Sequence, residues 1–242
     1  MSMWAYDFKS GDLYYNITND TLPPFTASVT YEKGSSSANY SNLINVEIPA
    51  TATFYDGTIY HITSIGSSAF NQCKSLVSVT IPESVTQIAN NAFSSCSSLT
   101  NVIIPTSVVS IGRNAFSWCS SLALIDIPNN VSWVGDAAFS GTPWYNNQPD
   151  GVIYAGLNLY RYKGEMPANT SIQVNEGTKS ISEHAFSTGC SSLVSIDIPN
   201  SVSCIGYAAF SNCSSLTSIS IPESIKRIET WTFSNCSSLD TI

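Results

Sequence analysis

The feature that most constrains this chain is an internal repeat. Ile65–Gln87 reads IGSSAFNQCKSLVSVTIPESVTQ, Ile88–Ser110 reads IANNAFSSCSSLTNVIIPTSVVS, and Ile111–Trp133 reads IGRNAFSWCSSLALIDIPNNVSW. The shared pattern is I-x-x-x-A-F-x-x-C-x-S-L-x-x-[VI]-x-I-P-x-[SN]-[VI]-x-x. Its period of about 23 residues falls in the range of repeat architectures. It resumes at Ile181, with one extra residue before Cys190, and again at Ile205 and Ile228. Three columns align: Phe70, Phe93, Phe116, Phe139, Phe186, Phe210 and Phe233; Cys73, Cys96, Cys119, Cys190, Cys213 and Cys236; Leu76, Leu99, Leu122, Leu193, Leu216 and Leu239. A unit this short cannot bury its own apolar face, whereas stacked units bury it continuously. The expected fold is therefore a repeat solenoid.

Each unit reads as one coil. Leu76-x-x-Val79-x-Ile81 has the alternation of a short strand with Val79 and Ile81 facing in. Pro82 ends that strand, because proline cannot donate to a ladder. Val85 and Ile88 point inward on the next side, and Ala69-Phe70 makes a tight corner with a large core anchor. Mostly short parallel strands joined by turns are expected, with neighbouring coils about 4.8 Å apart.

The pattern degrades between Val134 and Ile181. Gly141-Thr142-Pro143-Trp144-Tyr145 stands where Cys-x-Ser-Leu is due, and Val152–Tyr162 (VIYAGLNLYRY) reads as a hairpin turning at Ala155-Gly156. Ile172 and Val174 restore the strand slots. We expect a coil that carries a hairpin in place of its usual corner, over about residues 140–180. Residues 1–60 differ again and read as a β-rich N-terminal cap on a solenoid of residues 61–242. Hairpins are expected at Ser10-Gly11-Asp12 and at Asp56-Gly57, a strand at Val29-Thr30-Tyr31, an early strand slot at Leu43-x-x-Val46-x-Ile48-Pro49, and a loop at Gly34-Ser35-Ser36-Ser37. At the other end Leu239-Asp240-Thr241-Ile242 falls inside a strand slot, so no C-terminal cap is expected and the chain reads as part of a longer repeat protein.

Composition removes several functions. Charged residues make up 11% of the chain and the net charge is −8. Nucleic-acid binding needs clustered cations, and here the clusters stop at Lys226-Arg227 and Arg161-Tyr162-Lys163. No stretch approaches the ~20 apolar residues of a membrane span. Met1–Asp7 has neither a basic region nor an apolar run, so it does not read as a signal peptide. Six of the seven cysteines share one column and point one way, a poor geometry for disulfides. With no C-x-x-C pair for zinc, they read as small buried core residues. His61 and His184 have no nucleophile at motif spacing, and Glu83 and Glu223 occupy one repeat slot typical of a solvated face. No catalytic residue, metal or cofactor is expected, and the chain does not read as an enzyme.

Two sets of residues remain as binding candidates. The outward strand slots form a small-polar stripe: Ser78, Asn101, Leu124, Ser171, Ser195 and Ser218, and one slot on, Thr80, Ile103, Asp126, Gln173, Asp197 and Ser220. Ile103 and Leu124 make an apolar spot on it, with Asp126 and Asp197 as its acids. The second set is Trp118 and Trp133, in variable slots of one coil where exposure is expected; Trp144 is expected to fill the core of the degraded coil.

The repeat columns, with the Trp144-Tyr145-Asn146-Asn147 … Asp150-Gly151 … Tyr162-Lys163-Gly164 stretch, resemble the BspA-like class of leucine-rich repeats over nearly the whole chain. The resemblance implies a leucine-rich-repeat solenoid on a bacterial or protozoan surface, extracellular in location. It implies adhesion to an extracellular protein, either a host matrix or plasma protein or another microbial surface protein. A carbohydrate-recognition module using the tryptophans, or a passive spacer, remain the alternatives. The motif residues are scaffold, so the resemblance carries over no catalytic or binding residue. Ser84, Ser107 and Asn130 fill the usual Asn/Cys slot of such repeats, a departure that fits a straighter coil than a horseshoe.

Overall fold

The computed structural model describes residues 6–31 and 40–241. The loop expected at Gly34–Ser37 lies outside the described residues. The chain forms two compact units, Met1–Val131 with Ala137–Asn147, and Ser132–Asp136 with Gln148–Ile242. Each is built of stacked coils.

In the first unit the long strand slots Asn45–Glu47, Ser78–Thr80, Asn101–Ile103 and Leu124–Asp126 form one parallel sheet. Its register follows the repeat, with Asn45, Ser78, Asn101 and Leu124 side by side. A second parallel ladder joins Ile59–Ile65, Gln87–Ile88 and Ser110–Ile111. Proline separates the two strands of each coil. Its carbonyl accepts from the N–H three residues on, as in Pro82 to Val85 (3.0 Å) and Pro105 to Val108 (3.1 Å), which closes a β-turn and brings the valine inward. Val85, Val108 and Val131 are fully buried, as are Leu76, Leu99 and Leu122.

The Phe corner has its own ladder. Ser68 and Gln72, like Asn91 and Ser95 one coil later, have positive φ near 60°. Both occupy the third position of a turn, which requires that conformation in a type II geometry. The flip aims their N–H groups at the following coil: Ser68 donates to the Asn90 carbonyl, Phe70 to Ala92 and Gln72 to Ser94. Phe70, Phe93, Phe116 and Phe139 stack between these corners, with centroids 5.1, 5.2 and 5.8 Å apart and planes within 6°. Tyr40 heads the column, 5.0 Å from Phe70, and its hydroxyl donates to the Thr30 carbonyl (2.6 Å).

The start of the unit adds strands to the second ladder. Phe8–Ser10 and Leu13–Asn19 pair antiparallel around Gly11-Asp12, and Leu13–Asn19 pairs with Thr26–Thr30. Thr26–Thr30 then runs parallel to Ile59–Ile65. This strand begins three residues earlier than the expected Val29-Thr30-Tyr31, because Thr26 to Val29 pair along His61 to Ile65, and Tyr31 lies outside it. The Asp56-Gly57 turn joins Thr51–Thr53 to Ile59–Ile65 as a hairpin. Phe8 is fully buried against Tyr15, Phe54 and Tyr60, which gives these strands an aromatic core.

The second unit repeats the plan. Thr170–Gln173, Leu193–Asp197 and Ser218–Ile219 form one parallel sheet, and Asn158–Lys163, Ser180–Ile181 and Cys204–Ile205 the other. The hairpin of Gly151–Ala155 and Asn158–Lys163 is present, turning at Gly156-Leu157. It does more than replace a corner: Leu159 stands in register with Ile181 and Ile205, and the Tyr162 N–H donates to the Ala185 carbonyl as a column Phe would. Tyr162, Phe186, Phe210 and Phe233 form an aromatic column within the second unit.

Candidate functional site

The strand face of the first unit places three of the candidate residues together. Inward Val79 and Val102 alternate with outward neighbours, so each strand shows two side chains to solvent. One outward row reads Asn45, Ser78, Asn101 and Leu124; the other reads Glu47, Thr80, Ile103 and Asp126. Ile103 is 70% exposed and Leu124 75% exposed. They sit on adjacent strands one pleat apart, an apolar pair on an otherwise polar face. Asp126 is directly beside Ile103. Along the polar part Ser78 donates to the Asn45 side chain at 2.7 Å. Asp197 belongs to the second unit. There it lies beside Gln173, with Ser171 and Ser195 bonded through their hydroxyls at 2.8 Å, on a shallow concavity of about 400 Å³.

The tryptophans differ in placement. Trp118 is 66% exposed, at a corner rather than on the strand face, and has φ of 60°. A bulky residue in that region is an outlier. Its N–H donates to the Ser140 carbonyl at 2.7 Å, which is what the conformation gains. Gly141 occupies the same slot one coil later. A Cβ built on it would come within 2.7 Å of the Trp118 ring, so the indole rests on that backbone. Trp133 is half-buried rather than exposed, since its two-residue strand Trp133–Val134 lies beside Asn158–Lys163. Trp144 packs on Phe139 at 4.8 Å within a short helix, Pro143–Asn146, that the repeat pattern did not signal. Thr142 caps that helix and takes the Cys slot, its hydroxyl donating to the Phe139 carbonyl at 2.7 Å.

The cysteines are free thiols, and Cys73, Cys96, Cys119, Cys190 and Cys213 are buried. They do more than fill space. Cys96 donates to the Phe70 carbonyl and Cys119 to the Phe93 carbonyl, both at 3.0 Å, tying each coil to the one before it. Neighbouring thiols of Cys119 and Cys73, and then burial, push the Cys96 thiol up. Burial, opposed by Arg161, takes Cys190 up to about 12, and burial followed by the neighbouring Cys190 and Cys236 thiols raises Cys213. Such thiols stay protonated and are poor nucleophiles and metal ligands. No group of three or more His, Cys, Asp or Glu residues is poised for a metal among the described residues. His184 is a left-handed corner residue packed edge-on to Tyr207. The Asn/Cys-slot side chains also bond backward, Ser107 to the Val85 carbonyl (2.6 Å) and Asn130 to Val108 (3.2 Å). In the second unit Arg161 pairs with Asp136, whose N–H donates to Glu183, and this anchors the hairpin strand.

Coil period, paired ladders and the stacked Phe column together define the architecture. The family model for the BspA-type leucine-rich-repeat region matches residues 39–148 and 158–242, in six copies. The chain belongs to the BspA-type leucine-rich-repeat family. Such repeats are protein-interaction scaffolds and generally non-catalytic. Among solved structures, this BspA-type chain is similar to a leucine-rich repeat protein from Bacteroides ovatus, at 30% identity and a TM-score of 0.53 over 98% of the chain. It is similar also to a leucine-rich cell surface protein from Faecalibacterium prausnitzii, at 29% identity and a TM-score of 0.53 over 100% of the chain. The chain spans about half the length of both, 52% and 54%. No curated protein matches it. No helix among the described residues is long and apolar enough to cross a membrane.

Proposed function

We propose that this chain is a non-enzymatic adhesion module of a cell-surface protein, holding an extracellular protein on the strand face of its first unit. The observation that carries the reading is the exposed pair Ile103 and Leu124, aligned on a regular four-strand sheet and flanked by Asp126. A flat sheet offers a broad platform, and its apolar pair offers the small desolvated centre on which protein interfaces depend. Asp197 supplies a similar acid to the polar face of the second unit. The cell-surface description of the F. prausnitzii structure supports the location.

A binding screen of the folded chain against matrix proteins, plasma proteins, microbial surface proteins and glycans tests the reading. Saturable binding to one protein, weakened at least tenfold (about 1.4 kcal/mol) by Leu124→Glu, is the expected result. Binding to no protein, or binding indifferent to Leu124→Glu and Ile103→Glu, overturns it.

One observation favours carbohydrate as a second ligand class. The Trp118 indole rests on Gly141 and presents the rest of its surface to solvent, a platform on which a sugar ring can stack. Glycan binding lost in Trp118→Ala, with protein binding retained, selects that reading. Trp133, half-buried, contributes less to it.

A further inference from the structure

The strand face of the first unit carries charge of one sign. Glu47, Thr80, Ile103 and Asp126 stand side by side in one outward row, with Asp126 the direct neighbour of Ile103. Adjacent strands are about 4.8 Å apart, so the two side chains share one small patch. Glu83 follows the strand Ser78–Thr80, and its carboxylate is held in place. It accepts from the Thr106 hydroxyl at 3.3 Å and from the Ser107 N–H at 3.2 Å. Thr106 comes shortly after Ile103, so this carboxylate stands at the far end of the strand that carries the exposed isoleucine. Glu47, Glu83 and Asp126 are all exposed, and neither Glu83 nor Asp126 pairs with a cation among the described residues. The cations of the described part of this unit, Lys9, Lys74 and Arg113, stand outside both outward rows. Lys9 belongs to the first hairpin, Lys74 follows Cys73, and Arg113 precedes the Phe116 corner.

These charges narrow what can cover Ile103 and Leu124, which are 70% and 75% exposed. A protein that buries the apolar pair also strips water from the Asp126 carboxylate beside it. A carboxylate that loses water without gaining a partner is costly. A neutral apolar partner leaves that cost uncompensated, and an acidic partner adds repulsion. A second copy of this chain laid on the same face would bring acids against acids. A lysine or arginine next to the partner's apolar group offsets the cost with a charge-assisted hydrogen bond.

We propose that the occupant of this face is a basic-apolar segment of another protein, with aliphatic side chains on Ile103 and Leu124 and flanking lysine or arginine against Asp126 and Glu83. The proposal rests on the reading of this face as the adhesive one and names the chemistry of its partner. Like charge on the two surfaces excludes self-association through it, and the uniform sign draws a cationic partner in from a distance at low salt.

The test is NMR titration of the full chain with the capped peptide Arg-Leu-Leu-Arg and its counterparts Gln-Leu-Leu-Gln, Glu-Leu-Leu-Glu and Arg-Ser-Ser-Arg. Saturable binding of the first is expected, with a Kd of about 1 mM, and weaker binding of the other three. Asp126→Asn and Glu83→Gln should each weaken it about two- to fivefold, as for exposed ion pairs. Both keep an oxygen acceptor and should leave the circular dichroism spectrum unchanged. Leu124→Ser should weaken it as well, because the apolar contact is lost. Raising salt from about 0.01 M to about 0.1 M, which shortens the screening length from about 30 Å to about 10 Å, should weaken it at least about threefold. Equal binding of Gln-Leu-Leu-Gln or of Arg-Ser-Ser-Arg, full binding by the folded Glu83→Gln/Asp126→Asn variant, no saturation by about 50 mM peptide, or a dimer of the chain that Leu124→Ser dissolves overturns the proposal. A protein from the binding screen that depends on Leu124 but is indifferent to salt and to Glu83→Gln/Asp126→Asn overturns the basic partner and leaves the adhesive face standing. A protein indifferent to Leu124→Glu and Ile103→Glu overturns the face itself, so the two readings fail separately.

Discussion

Replacing Phe93 by alanine tests whether the aromatic column holds the coils together. Phe93 is fully buried between Phe70 and Phe116, with centroids 5.1 and 5.2 Å away and planes at 0° and 6°. Truncating a buried Phe costs about 3–5 kcal/mol through lost transfer energy and the cavity left behind. Two ring pairs are lost together, each contributing about 0.5–1.5 kcal/mol beyond buried area. The cost should therefore fall near the top of the range, about 4–5 kcal/mol. That is a large share of the roughly 5–15 kcal/mol typical of a whole domain. Phe233 is the internal comparison, because it is only partly buried and stacks on Phe210 at 5.7 Å. Its replacement should cost about 1–3 kcal/mol. Urea unfolding followed by circular dichroism and tryptophan fluorescence reads both, with the m-value checked because repeat arrays can unfold in steps. A cost for Phe93→Ala below about 2 kcal/mol, or no larger than for Phe233→Ala, would refute the reasoning.

The thiols predict alkaline sensitivity. Cys190 rises from 9.0 to about 12 in the folded chain, and Cys96 and Cys213 are raised too, so unfolded thiols ionise first. Their contribution is fully present below about pH 8.5 and declines by up to about 1.4 kcal/mol per pH unit per thiol above it. The urea midpoint should fall between about pH 9 and 11, and Cys213→Ala should flatten that fall; a midpoint that rises contradicts the assignment. In thiol titration Cys204 and Cys236, the two that are not fully buried, should react in the native chain. The other five should react only after unfolding, and early reaction of all would exclude the buried column. Gly112→Ala should cost about 1–3 kcal/mol, because its Cβ would stand 2.6 Å from the Asn90 nitrogen. An unchanged urea midpoint would show that the coils separate freely there. Leu124→Glu should leave stability within about 0.5 kcal/mol, as usual for an exposed site; a larger loss would mean that its effect on binding reports folding.

The repeat was readable because one physical requirement recurs in the regular coils: Phe, Cys and Leu must enter a shared core. The outward stripe was readable for the same reason, since strand alternation leaves Ile103 and Leu124 no inward position. Other features depend on contacts that the pattern does not encode. The αL corners at Asn91, Asn114 and Asn212 fit asparagine's tolerance of that conformation, but Trp118 and Trp231 adopt it without any local preference. Trp133 could be placed in a variable slot, yet its burial depends on a hairpin strand that comes a whole coil later. Thr142 replaces a thiol donor with a hydroxyl donor, which only the carbonyl it meets reveals.

The extra residue before Cys190 shows where such a chain can change length. Ile181 and Ile205 stand one position further apart in sequence than Ile88 and Ile111. They nevertheless remain directly paired, and Ser171, Ser195 and Ser218 stay in line on the other sheet. The surplus is taken up between Phe186 and Cys190, where Gly189 has φ of +73° and open space around it beyond one carbonyl at 3.6 Å. Corners thus absorb insertions that strands refuse. New sequence can enter there, by drift or by grafting of a peptide, while both ladders keep their count.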